Sequence, residues 1–306
     1  MPERITAACH IFLRHRLTPS VRSAQYILLS LGSSNFPPVL HFPLLDHSTE
    51  ATGHAGNTGA SFLLSWDAVT LSGAQTTPQL FQQIHESIIT CERCPRLRDY
   101  CRGIGETKRR AYLDQTYWAR PVPGFGDPRA RILILGLAPG AHGANRTGRP
   151  FTGDGSGDFM YPVLHELGLA TKPRAIARED GLKLRHAWIA SVVRCAPPGD
   201  KPQPQEIRNC STHLTDEIQA LPRIRVVVCL GKIAFDGYLA HLLHTGVIAR
   251  KSEYRFSHGA HYRLPNGLHL LATYHPSLRN TNTGRLNRTM FTRIFLQARE
   301  LAGLAV

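Results

Sequence analysis

The chain has 306 residues, 42% of them apolar, and a formal net charge of +14 at neutral pH. That length allows one large or two small domains with a sizeable core. Its longest apolar runs, Ile132–Leu135 and Val226–Leu230, are strand-length, well short of the roughly 18 residues a membrane-spanning helix needs. The positive charge points to a polyanionic partner, because Lys and Arg neutralise phosphates and release condensed counterions.

Seven cysteines, at 9, 91, 94, 101, 195, 210 and 229, make an odd number. The first thirty residues carry scattered arginines and no clean cleavage site. A disulfide framework is therefore not expected; in a cytoplasmic protein such thiols are ligands, catalysts or core residues.

Residues 1–76 differ from the rest. They are rich in Ser, Gly, Thr and His, and His47–Ser61 has the composition of a flexible linker. The expectation is an N-terminal extension, disordered or loosely attached, ahead of one domain over 77–306.

From Pro78 the pattern becomes regular. Leu80–Thr90 has helical spacing and runs into Cys91-Glu92-Arg93-Cys94-Pro95. Arg131–Leu135 reads as a buried strand ending in the turn Gly136-Leu137-Ala138-Pro139-Gly140. A long polar loop precedes a helix over Phe159–Leu167, stopped at Gly168. His186–Val193 is a second strand, closed by Arg194-Cys195-Ala196-Pro197-Pro198. Gln205–Leu221 is helical and holds Cys210. Val226–Leu230 is a third strand, with Gly231 opening another helix. His269–Tyr274 is a fourth, ending at His275-Pro276-Ser277, and a last helix spans Asn287–Leu301. Alternation of this kind predicts an α/β chain, a three-layer α/β/α sandwich around a parallel four-stranded sheet. Ligands of such sheets bind beyond the carboxyl ends of the strands, where the polar loops fall.

The Cys91-x2-Cys94 pair places two sulfurs on one side of a turn, and Cys195 and Cys210 could join them. Four thiolates suit zinc or an iron–sulfur cluster equally; chance spacing is the plain alternative. Cys229, within an apolar strand, reads as core, and Cys9 and Cys101 have no evident partner.

The loop 136–158 contains seven glycines in twenty-three residues. Glycines let backbone approach a ligand, and successive N–H groups can form an anion-binding nest. His142, Arg146 and Arg149 add positive charge suited to phosphate, and Phe151 offers a flat ring on which a base can stack. A solvated loop with Phe151 as a core plug is the plainer reading. Asp158, just before an apolar helix, is expected to cap it; Asp154, with no such task, is the catalytic candidate. After the last strand, His275 can donate to an oxygen that gains charge, while Leu278 and Arg279 can wedge into a duplex.

Together these segments resemble the uracil-DNA glycosylase superfamily, and within it the iron–sulfur b-type (fifth-family) branch. The resemblance runs from about Leu80 to the C-terminus. Its carriers are the Cys pair, Tyr117–Pro128, Gly136–Asp154, Arg194–Pro198, Cys210 and Tyr274–Ser277. It implies a base-flipping, monofunctional enzyme that hydrolyses the N-glycosidic bond of uracil in DNA. It implies a [4Fe–4S] cluster on Cys91, Cys94, Cys195 and Cys210, with a structural role. It further implies base contacts from Gly136, Ala138, Gly140, His142, Asn145, Phe151 and Ser191, DNA contacts from Arg146, Arg149, Leu278 and Arg279, and chemistry from Asp154 and His275. Other branches carry a polar residue where Leu137 and Ala138 stand, and an Asn where Ser191 stands. The more apolar pocket implies tolerance of hypoxanthine, xanthine and etheno-cytosine. DNA containing deaminated bases is the expected partner, and the enzyme is expected to act as a monomer.

Overall fold

The computed structural model describes residues 77–305, so the expectation for residues 1–76 lies outside them. Two helices come first: α1 (Thr77–Ile89) and α2 (Pro95–Thr107). The remaining elements are β1 (Phe125–Gly126), β2 (Ile132–Gly136), α3 (Ala144–Thr147), α4 (Gly155–Glu166), β3 (Ala187–Ser191), α5 (Pro204–Gln219), β4 (Val226–Leu230), α6 (Lys232–His244), β5 (His261–Arg263), β6 (His269–Thr273), α7 (Leu278–Asn282) and α8 (Arg288–Leu301). None of the described helices is long and apolar enough to cross a membrane.

The sheet order is β1-β3-β2-β4-β6-β5, and the inner pairs β3–β2, β2–β4 and β4–β6 are parallel. These are the four expected strands. Two short antiparallel edge strands, β1 on β3 and β5 on β6, bring the total to six. At two and three residues they are too short to print a periodic pattern.

All residues of β2, β3 and β4 are buried, as expected of a sheet covered on both faces. Alternate side chains feed two cores. Leu133, Leu135, Val227 and Leu270 face α1, α2, α5 and α6; Ile132, Ile134, Val228 and Leu271 face α4 and α8. That period-two partition creates the three layers. The chain leaves β2 toward β3 on one side and resumes at β4 on the other. The connections therefore diverge at the β2–β4 carboxyl ends, the crevice where open α/β sheets take their ligands.

Candidate active site

Gly136 ends β2 opposite Ser191, the last residue of β3. Phe151 lies across Gly136: a Cβ there would stand 3.0 Å from the ring. Phe151 adopts φ +50°, an unusual conformation for a bulky side chain that its surroundings must impose. Gly157 presses on it, since a Cβ on Gly157 would fall 1.9 Å from the Phe151 carbonyl oxygen. The His275 ring stands 6.0 Å from the Phe151 ring, centroid to centroid. A wall of the crevice is thus an aromatic face, a neighbouring imidazole and the buried Ser191. The amide of Ala138 donates to no acceptor among the described residues and remains available to a ligand.

The cap expected of Asp158 falls to Asp154. Asp154 is the N-cap of α4: its Oδ1 accepts from Ser156 N at 3.1 Å and Gly157 N at 3.0 Å. Asp158 is exposed within the first turn and caps nothing. Helix α4 starts four residues before the apolar pattern because Gly155-Ser156-Gly157 can coil tightly beneath Phe151. Capping does not disqualify Asp154 from chemistry. It locks Oδ1 and leaves Oδ2 against the Gly140–Gly143 turn, where a Cβ on Gly143 would lie 2.0 Å away. Burial raises the Asp154 pKa, opposed by the two cap N–H groups. Burial lowers that of His275 to about 4, so at neutral pH the imidazole is uncharged and can donate one N–H. Asn280 Nδ2 holds the His275 carbonyl at 2.8 Å and anchors the loop.

Four expected ligand residues make contacts within the protein. Arg146 is buried; it donates to the carbonyls of His142 (2.8 Å) and Gly153 (2.7 Å) and to Gln115 Oε1 (2.5 Å), with its guanidinium 3.9 Å from the Tyr112 ring centre. Arg149 is buried in a two-pronged ion pair with Asp180, at 2.8 and 2.6 Å. A polar loop lets arginines read as surface cations; here the loop folds around them to satisfy its own carbonyls. Asn145 is also buried, and its Nδ2 ties the carbonyls of Cys101 and Ala141. His142 pairs its Nδ1 with the Tyr117 hydroxyl at 3.0 Å. Burial, then Arg109 and Arg146, lowers its pKa, so it brings no positive charge. Leu278 and Arg279 are exposed as expected, and Leu278 leans on Gly155, where a Cβ would meet its side chain at 2.7 Å.

Sequence reasoning missed Gly143, Tyr117 and Asp180. Their roles arise from contacts between separate segments, and no local pattern signals them.

The four expected cysteines line one small cavity, together with Arg93, Arg98, Arg194 and His213. None of the four is joined in a disulfide among the described residues. Donors already point at three of the sulfurs: Arg93 Nε to Cys91 (3.3 Å), Asn209 Nδ2 to Cys94 (3.5 Å) and Arg194 N to Cys210 (3.2 Å). Guanidinium nitrogens of Arg98 and Arg194 are buried with no partner among the described residues. Among the described residues no three His, Cys, Asp or Glu side chains converge tightly enough to hold a single metal ion. Cys101 was expected to stand alone. It is fully buried on α2 and directs its sulfur to the Ala196 carbonyl at 3.6 Å. Cys229 is core, as expected.

Comparison with known proteins gives the family. The family model for the uracil DNA glycosylase superfamily matches residues 123–299. A type-5 uracil-DNA glycosylase of Thermus thermophilus is 53% identical over 219 residues, 72% of this chain and 97% of the relative. Proteins of the same description are 46% identical in Mycobacterium bovis (72% of this chain, 82% of the relative) and 41% identical in Pyrobaculum aerophilum (71% and 91%). The site elements from Gly136 to His275 all lie within the matched region, and the chain belongs to the uracil-DNA glycosylase superfamily, in its type-5 group.

Proposed function

We infer that the enzyme hydrolyses the N-glycosidic bond of uracil in DNA and leaves an abasic site. The observation that carries this reading is a cap-locked, desolvated carboxylate, Asp154, set beside an aromatic wall and a neutral imidazole at the mouth of a basic protein. The base must leave the stack to reach that crevice. Phe151 then stacks on it, while the Ala138 amide and His275 N–H meet its oxygens. The C1′–N bond breaks through an oxocarbenium-like sugar, and its electron pair departs with the base. The two N–H donors stabilise the leaving anion. Asp154 Oδ2 faces the cation and orients water; the water oxygen bonds C1′, and its proton passes through the carboxylate to the base. No lysine lies in the site loops, so no Schiff-base step follows. Ser191, in an otherwise apolar pocket, reads the base edge loosely. Hypoxanthine, xanthine and etheno-cytosine are accordingly further substrates. The protein acts as a monomer in the cytoplasm.

The cysteine cavity supports a [4Fe–4S] cluster on Cys91, Cys94, Cys195 and Cys210. Four sulfurs spread around a cavity suit a polynuclear centre, in which each thiolate binds its own iron, better than a single ion whose ligands must meet at a point. The unpaired N–H groups of Arg98 and Arg194 would balance its negative charge. Its part is to brace the ends of α2 and α5; no step of the hydrolysis runs through it.

Alkali-revealed nicking of oligonucleotides carrying one altered base tests the activity. Cleavage at uracil is expected; binding without cleavage would mark a non-catalytic DNA-binding module. Iron analysis tests the cluster: about four irons per chain and brown colour are expected, and stoichiometric zinc without iron in anaerobically prepared protein would overturn it.

A further inference from the structure

Six large apolar side chains stand exposed among the described residues, and the most exposed is Ile176, at 66%. Leu278, at 58%, is another. The two flank one short turn, Gly153-Asp154-Gly155. Leu278 packs on Gly155. At the other end of the turn, Gly153 N donates to the Ala175 carbonyl at 3.0 Å, so the peptide bond that leads into Ile176 abuts Gly153.

Ile176 sits on a braced tip. The Asp180 carboxylate accepts from the backbone of Ile176 (2.8 Å), Ala177 (3.3 Å) and Leu182 (2.9 Å), and it also holds Arg149. Arg178 stacks on Trp118, 4.4 Å from the ring centre. Lys172 Nζ closes the loop onto the Asp180 carbonyl. A β-branched side chain on such a base has few rotamers to lose on contact. Exposed arginines at 174 and 178 flank the tip, an arrangement that suits an apolar wedge entering a base stack between phosphates.

We propose that Ile176 is a second wedge, which unstacks the duplex on the side of the flipped nucleotide opposite Leu278. It positions the DNA and takes no part in bond cleavage. Two wedges around one carboxylate would hold the step open from both sides, so that the extruded nucleotide meets Asp154 in one orientation.

The test uses full-length enzyme under single-turnover conditions, on a duplex with uracil opposite guanine and the fluorescent base 2-aminopurine beside the uracil. Ile176→Ala should reduce the fluorescence rise that reports unstacking and slow cleavage by about tenfold, the factor set by roughly 1.4 kcal/mol. Ile176→Met, which keeps an apolar side chain of similar bulk, should restore the rate to within about threefold of wild type. Melting temperatures of both variants should match wild type, since the side chain packs on little. The proposal is overturned if Ile176→Ala leaves both signals unchanged, or slows cleavage with an undiminished fluorescence rise. It is also overturned if Met rescues nothing while the melting temperature falls, because the residue would then be structural.

Discussion

Asp154 holds two jobs at one residue. As the cap of α4 it serves stability, and as a desolvated carboxylate it opposes it. The pKa of Asp154 is raised on folding. Its ionisation therefore costs stability as pH rises through the folded-state value. Asn caps a helix about as well as Asp. Asp154→Asn should therefore slow the chemical step by roughly 10²–10⁴-fold and leave the melting temperature equal or slightly higher. Asp158→Asn should change neither. Single-turnover rates and calorimetry on the pair decide this, and a dead Asp158 variant beside an active Asp154 variant would reverse the assignment. His275 behaves in the opposite sense. Its pKa is lowered to about 4, so the unfolded chain takes up a proton that the folded chain refuses. The stability it leaves intact above about pH 6.5 is lost toward pH 4, at up to about 1.4 kcal/mol per pH unit. Melting curves at pH 7 and 5 should show this loss, and His275→Gln should reduce the difference.

At the scale of elements, the catalytic loop is held by its own arginines. Arg146 knits Gly153 to His142, and Arg149 ties the loop to the Asp180 turn. The carboxyl of Asp180 is held well below the usual carboxylate range; burial opposes ionisation, and Arg149 with the turn amides outweighs it. Removing one partner of such a buried pair typically costs about 3–5 kcal/mol, because the other charge is left stranded. Arg149→Met should therefore lower the melting temperature and the cleavage rate together, while affinity for undamaged duplex changes little. A selective loss of DNA affinity, with intact stability, would restore Arg149 to the surface role that the polar loop suggested. Asp180 adds its part only above its unfolded pKa, so the pair weakens only in acid.

For the whole molecule, the net charge of +14 sets the response to salt. Arg146 and Arg149 turn inward, whereas Arg174, Arg178 and Arg279 are exposed and are the expected phosphate contacts. Affinity for undamaged duplex should fall steeply between about 50 and 200 mM salt, with a log–log slope near −0.9 per phosphate neutralised. Arg279→Ala should lower that slope by about one, whereas Arg146→Ala should not; fluorescence anisotropy across a salt series measures both. A slope near zero would mean that the basic surface does not face DNA.

The four inner strands and the loops that follow them were legible along the chain, because buried parallel strands are continuous apolar runs and glycine-rich turns follow them directly. The four cysteines, Phe151, Asp154, His275 and Leu278 could be singled out for the same reason: each sits in a short, distinctive local pattern. What the chain alone did not reveal was direction and partnership. Whether an arginine faces solvent or a carbonyl, and which of two aspartates caps a helix, depends on residues far away in sequence. Arg149 needs Asp180, Cys101 needs the Ala196 carbonyl, and Asp154 needs the missing Cβ of Gly143. Buried polar groups must find partners wherever the fold supplies them, and only the tertiary structure decides who those partners are.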